Sequence, residues 1–440
     1  MGGPRSFHFG EFVFLPETAE LYKNGRKLPA RAQELLGLEA LVENAGRRVS
    51  REALTRRIWP ETSVGKNNLN VMINRLRALL GDDSAGQRFI KTIGRSGYCF
   101  VPRVDAAPDT RSILSADEAA WTVYWRARQL WEARTPKALA ESIRLFRRSI
   151  ALDPSFSLGY AGLADALIME SLHAIRPPSE TFLLARGAAR RALARRKNLA
   201  EAITAEAWVR LCLDRDFSAA EEAFARALAL KPGYPFAHNG WSLLMLALDR
   251  PAEAVKSMEK AWESDPLSPP LNALLGDTYY YNRQFQKAIE QERKVLEWDR
   301  RYVLGHSCMG RSLLQLGRRG DALRHLESAC DYSGQSSVML GLLAHAYARC
   351  NRRSAARSAL QKLLRRAKAA YVPAYFVALT CLGLGDVEIG LAWLEKAIDE
   401  RSHWVLFLNV DPVFDDFRSE KGFRRLLHKT FGFSAANAAK

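Results

Sequence analysis

The sequence lacks the patterns that mark a disulfide framework, a metal centre or a hydrolytic site. Its six cysteines (Cys99, Cys212, Cys308, Cys330, Cys350 and Cys381) stand far apart with no CxxC pair, so they read as buried reduced thiols rather than bridges or zinc ligands. The eight histidines include no HExxH, and His306 beside Cys308 reads as packing within one helix. No paired carboxylates, Ser–His arrangement or Gly-rich phosphate loop is present, so the expectation is a non-enzyme with no catalytic residues, no metal and no cofactor. The opening MGGPRSFHFG has no apolar signal core. The longest apolar runs, near 338–348 and 372–385, are too short to span a bilayer, and Pro373 interrupts the second. A cytoplasmic protein that keeps off the membrane is expected. Acid is scarce too. The 440 residues carry 65 Lys and Arg against 48 Asp and Glu, a net charge of +17, which favours a polyanionic partner.

What is present divides near residue 105. Before it, strand and helix signals mix. FHFGEFVFLP alternates like one half-buried strand, LYKNGRKL places Asn24-Gly25 at a hairpin turn, and helical segments follow around 31–45, 50–58 and 66–80, the second with Ser50 as N-cap. RFIKTIGRSGYCFV reads as a closing hairpin. Residues 1–105 hold 17 Lys and Arg against 11 Asp and Glu, while the other 335 hold 48 against 37, so the smaller part is the more densely basic. A linker at 106–116, rich in Ala, Pro, Asp and Ser, leads into continuous helix.

The helical part repeats every 34 residues. Small residues fall in register at Ala220, Ala254, Ala288, Ala322 and Ala356. A bulky residue stands four positions later at Phe224, Met258, Leu326 and Leu360, with Glu292 breaking the series. A small residue recurs at Ala227, Ala261, Ala329 and Ala397. Units begin near 201, 235, 269, 303, 337 and 371, and two more precede them, the second lengthened by about ten residues around HAIRPPSE. This period, with small residues where helices cross, resembles the tetratricopeptide repeat. The resemblance covers residues 117–404 and implies about eight helical hairpins stacked into a superhelix. Residues 405–440, including NVDPVFDDFRSEKGFRRLL, resemble a segment that caps such arrays. The Arg run at 185–198 reads as a solvated helix face. Concave positions in the repeat register include Asn239, Asp277, Tyr281, Arg311, His345 and Arg349, a mix of donors and aromatics suited to holding an extended peptide.

One helix is unusual. KNNLNVMINRLRALL (66–80) carries Asn67, Asn68, Asn70 and Asn74 but no acid. Leu69, Ile73, Leu76 and Leu80 form an apolar stripe, while Asn67, Asn70, Asn74 and Arg77 are read as the opposite, solvent-facing side with the same spacing. A merely solvated face would favour Glu, Lys or Gln; Asn and Arg are the residues that read adenine and guanine edges.

The order of helix, connection, this helix and a basic hairpin, with VxINRLRxxLGDD (71–83) and IKTIGRSGY (90–98), resembles the OmpR/PhoB-type winged helix-turn-helix over residues 6–103. The resemblance implies an α+β DNA-binding domain at 1–105, with Asn70, Val71, Asn74 and Arg75 on base edges and Asn67, Arg77 and Thr92 on phosphates. Gly94 stands where the family carries its wing Arg, and Arg95 follows. Residues 59–66 take the place of the family's loop toward RNA polymerase. The sequence shows neither a receiver domain before this unit nor a membrane helix after it, and the whole order resembles HilA-type bacterial activators. The implied function is a sequence-specific transcriptional regulator, an activator by that resemblance. Its partners would be duplex DNA and a protein or peptide in the repeat groove, and a homodimer on DNA is compatible with the reading. The alternative is a scaffold whose DNA-binding domain only localises the repeats.

Overall fold

The run FHFGEFVFLP does not form one strand. Gly10, at φ +53°, turns the chain, so that β1 (Ser6–Phe9) and β2 (Phe12–Leu15) pair antiparallel. Alternation misleads here because both faces of the hairpin are covered. Phe7, Phe9, Phe12 and Phe14 enter the core of the N-terminal unit, while Val13 belongs to the core of the repeats. The computed structural model describes residues 6–16, 20–58, 66–82, 87–94, 96–107, 118–264, 266 and 268–432.

Asn24 and Gly25, both at positive φ, make the turn between β3 (Glu20–Lys23) and β4 (Arg26–Lys27), as the sequence predicts. A strand β8 (Asp105–Ala107) completes this sheet in the order β4-β3-β2-β1-β8. The sheet therefore runs two residues into the stretch read as linker; residues 108–117 lie outside the described residues. Next come α1 (Ala32–Val42), β5 (Arg48–Ser50), α2 (Arg51–Ile58), α3 (Lys66–Leu80), β6 (Ile90–Ile93) and β7 (Gly97–Phe100). The last two strands and β5 form a second sheet, ordered β5-β7-β6. Ser50 Oγ accepts from the Ala53 amide at 3.1 Å and caps α2. A Cβ on Gly97 would sit 2.1 Å from the Val49 carbonyl oxygen, so the hairpin can approach β5 only with glycine there.

The helical part comprises, among the described residues, eight hairpins: α4 (Glu118–Glu132) with α5 (Pro136–Leu152), α6 (Ser157–Leu172) with α7 (Pro178–Arg195), α8 (Ala200–Val209) with α9 (Phe217–Leu230), α10 (Pro235–Ala247) with α11 (Pro251–Ser264), α12 (Pro269–Tyr281) with α13 (Phe285–Trp298), α14 (Val303–Gln315) with α15 (Arg319–Tyr332), α16 (Ser337–Arg349) with α17 (Arg353–Arg366), and α18 (Ala374–Leu384) with α19 (Val387–Asp399). The register alanines at 220, 254, 288, 322 and 356 are all fully buried, because that is where paired helices cross most closely. This is the tetratricopeptide superhelix, following an α+β winged helix-turn-helix unit.

Glu292 breaks the bulky series for a visible reason. Its carboxylate is fully buried against Gly276, where a Cβ would lie 2.1 Å from Oε1, with the Cys308 thiol as its weak hydrogen-bonding neighbour. Burial pushes its pKa well above the carboxylate range. A raised folded-state pKa means its contribution to stability is present below the unfolded value near 4.5 and is lost as pH rises. Glu292→Met, which copies Met258 of the preceding unit, should therefore stabilise the protein by about 1–3 kcal/mol. The gain in melting temperature should be larger at pH 8 than at pH 5; an equal gain at both would contradict buried protonation.

The chain after α19 does more than end the array. Short 3-10 turns at His403–Phe407 and Pro412–Phe417 precede α20 (Lys421–Phe431). The two turns run back over the concave face. Phe407 stacks on Tyr281 with ring centroids 4.2 Å apart, and Asn409 Nδ2 donates to the Ala247 carbonyl at 2.9 Å. Asp411 accepts from the hydroxyls of Tyr280 and Tyr375 at 3.1 and 3.2 Å. Arg215 donates to the Ser402 carbonyl at 2.9 Å. Only α20 packs as an end cap, with Lys429 2.7 Å from Asp399 of α19.

Candidate nucleic-acid interface and repeat lumen

Helix α3 forms because Leu69, Ile73, Leu76 and Leu80 bury one stripe in the N-terminal core. The opposite face is open: Val71 is 49% exposed, and Asn70, Asn74 and Arg75 are exposed beside it. Asn70 is held in place. Its Oδ1 accepts from Arg51 Nη1 and from the Tyr98 hydroxyl, both at 2.8 Å, and the Arg51 guanidinium lies over the Tyr98 ring. The Asn70 amide nitrogen then points away from these two partners. Asn74 and Arg75 have no hydrogen bond or ion pair among the described residues, so they remain available to a ligand.

The structure corrects the assignment of Arg77. It is 8% exposed, with Nε and Nη2 donating to the Ile90 carbonyl at 3.2 and 2.7 Å and Nη2 donating to Thr92 Oγ1 at 2.8 Å. One helical turn after Ile73, Arg77 flanks the buried stripe and faces β6. Arg77 therefore braces the wing against α3 instead of reaching phosphate, while the half-buried Thr92 accepts from it and keeps its own hydroxyl proton to donate. Arg77→Ala should destabilise the protein by about 2–3 kcal/mol, as lost charged hydrogen bonds do, and should leave the salt dependence of DNA binding unchanged. A flatter salt slope with unaltered stability would return Arg77 to the phosphate.

Asn67 begins α3, but its side chain lies outside the described residues, as do Arg95 and residues 59–65. Lys91 is exposed on β6, as are Arg56 on α2 and Arg48 on β5. These cations, with Arg51, were not separable in sequence from an ordinary solvated surface. Asp82 was also missed. It is buried, and Oδ2 accepts from the amides of Phe89 and Ile90 at 3.0 and 2.9 Å, which fixes the entry to the wing.

In the repeats, Asn239, Asp277, Tyr281, Arg311 and His345 do come together, lining a cavity of about 610 Å³. Its remaining wall includes Trp404, Phe407 and Asp411 from the returning C-terminal segment. Arg311 forms an ion pair with Asp277, donates to the Tyr281 hydroxyl at 3.2 Å and lies over the Tyr280 ring. Burial holds the His345 imidazole down at about 4, so it is neutral near pH 7, with Nδ1 2.9 Å from the Leu379 carbonyl oxygen as donor. Arg349 lies outside the cavity and pairs with Asp416 at 2.8 Å. The groove expected to hold a separate peptide is thus crossed by the chain's own segment. No described helix is long and apolar enough to cross a membrane.

Residues 25–100 match the family model "Transcriptional regulatory protein, C terminal". Transcriptional regulatory protein YvrH of Bacillus subtilis is 29% identical over 99 residues, covering 22% of this chain and 42% of that protein. Probable transcriptional regulator ycf27 of Porphyra purpurea is 36% identical over 84 residues, covering 18% and 35% respectively. The chain thus spans less than half the length of these curated relatives. A crystal structure of the APC/C hetero-tetramer Cut9–Hcn1 aligns with 70% of this chain and 55% of that one, at 14% identity and a TM-score of 0.49.

Proposed function

We propose that this chain is a sequence-specific DNA-binding transcriptional regulator that lays α3 in the major groove. The observation that carries the reading is the open face of Asn70, Val71, Asn74 and Arg75, lying inside the stretch that matches the transcriptional-regulator family model. Asn74 and Arg75 supply bidentate partners for adenine and guanine, Asn70 keeps its amide N–H donors for a base acceptor, and Val71 supplies an apolar contact for a thymine methyl. Lys91, on the wing strand, adds a phosphate contact.

In this reading the first 105 or so residues bind DNA. The repeats at 117–404 bind a protein or small effector, and α20 closes the array. Activation, a contact with RNA polymerase through residues 59–66, pairing of two copies on DNA and a cytoplasmic location all belong to the proposal. The lumen residues Asn239, Asp277, Tyr281, Arg311 and His345 form the sensing side. Nuclease footprinting of the full-length protein on genomic fragments tests the reading. Discrete protected sites that weaken with Asn74→Ala support it, whereas uniform coating of every fragment would overturn it in favour of a scaffold.

A further inference from the structure

A second cavity, of about 510 Å³, opens where the N-terminal unit meets the repeats. His8, Gly10 and Arg103 line it from one side, and Tyr124, Trp131 and Tyr234 from the other. Its volume falls within the range of about 300–1,000 Å³ typical of small-molecule pockets.

Two features of the lining define a ligand. The first is charge: among the described residues the lining holds the cations Arg103, Arg128, Arg134, Arg196 and Lys231 and the carboxylates Glu132 and Glu201. Arg128 is matched by Asp165 at 2.9 Å and Lys231 by Glu201 at 2.8 Å. Arg134 has no carboxylate partner among the described residues. The second is the sign of what is left unsatisfied. Among the described residues, Trp125 Nε1, Trp131 Nε1 and Arg134 Nε are buried without a hydrogen-bond partner, and no acceptor on the lining is in that state. Trp131 is only 2% exposed, so its N–H is shielded from bulk solvent. Buried donors without acceptors are costly, and a ligand bringing acceptors relieves that cost. The walls around them are aromatic: Phe236 meets Trp131 edge-on, with centroids 5.5 Å apart, and the Arg134 guanidinium lies 5.7 Å from the same ring.

We propose that this cleft binds a small aromatic carboxylate, its ring among Tyr124, Trp131 and Phe236 and its carboxylate on Arg134 and the Trp131 N–H. These contacts all lie on the repeats, and His8, Gly10 and Arg103 of the N-terminal unit line the same cavity. The inference rests on the regulator reading only in treating the repeats as the sensing part, and it gives that part a ligand class.

The test is calorimetric titration of the full-length protein with 2-naphthoate, 2-naphthalenemethanol and 2-naphthyl phosphate. The carboxylate should bind at least about tenfold more tightly than the alcohol, the size expected of a charged hydrogen bond. Arg134→Gln should remove about tenfold of the carboxylate's affinity and leave that of the alcohol unchanged, whereas Trp131→Phe, which also trims the ring wall, should weaken both ligands and the carboxylate by about tenfold more. Equal binding of acid and alcohol to the unmodified protein would overturn the proposal whatever the variants do. A tenfold preference for the phosphate over the carboxylate would overturn the carboxylate class. DNA affinity measured on the same preparation separates the two readings: DNA binding without acid selectivity sinks this site alone, and acid selectivity without DNA binding sinks the regulator.

Discussion

Replacing Asn74 and Arg75 together by alanine should erase the preference for a cognate duplex while the protein stays folded. Both side chains are exposed on α3 and hold nothing else in place among the described residues, so their loss opens no cavity and strands no buried partner. A good bidentate contact to a base edge discriminates by about 1–3 kcal/mol, and since neighbouring contacts need not add, the double variant should lose at least that much at the specific site. Binding to unrelated duplex rests on phosphate contacts and should fall far less. Titrations of a selected site and a scrambled site, with a thermal melt as control, measure both effects. Equal losses on the two duplexes would mean that Asn74 and Arg75 do not read bases.

The second large effect is expected at the far end of the chain. Phe407→Ala should destabilise the repeats by about 3–5 kcal/mol, the usual cost of emptying a buried aromatic site. Phe407 is 8% exposed and stacks on Tyr281, so it ties the returning segment to the fifth hairpin. Val405, Leu406 and Leu408 around it are fully buried, which makes the segment part of the core. Urea denaturation followed by circular dichroism measures the loss; a change below about 1 kcal/mol would show that the segment is a loosely held occupant. The N-terminal unit has its own core, so DNA affinity below the transition should persist.

These expectations differ in how far the sequence alone supports them. The repeat register was legible because one geometric demand recurs every 34 residues: alanine at the crossing point, buried each time from Ala220 to Ala356. The stripe from Leu69 to Leu80 was legible for the same reason, since helical period alone selects the buried face. Arg77 was not. Period places it on the flank of that stripe, and only the pairing of α3 with β6 decides whether a flank faces strand or solvent. FHFGEFVFLP was misread because alternation reports one covered face, and here the repeats cover the other. The return of residues 402–417 leaves no local signal, because the contacts that fix it (Ala247, Tyr281, Tyr375) lie far away in the chain. Glu292 was visible as a break in the series, though its protonated burial needed the contact with Gly276.

The account stands on the claim that the exposed face of α3 reads base sequence. Selecting duplexes from a random pool with the full-length protein, then mapping methylation interference on the enriched site, tests this most directly. The account predicts enrichment of a short motif in which methyl groups at guanine N7, on the major-groove edge, block binding. It also predicts that Asn74→Ala selects a motif relaxed at one or two positions. A pool that stays random through the selection, or interference confined to minor-groove positions, would contradict it.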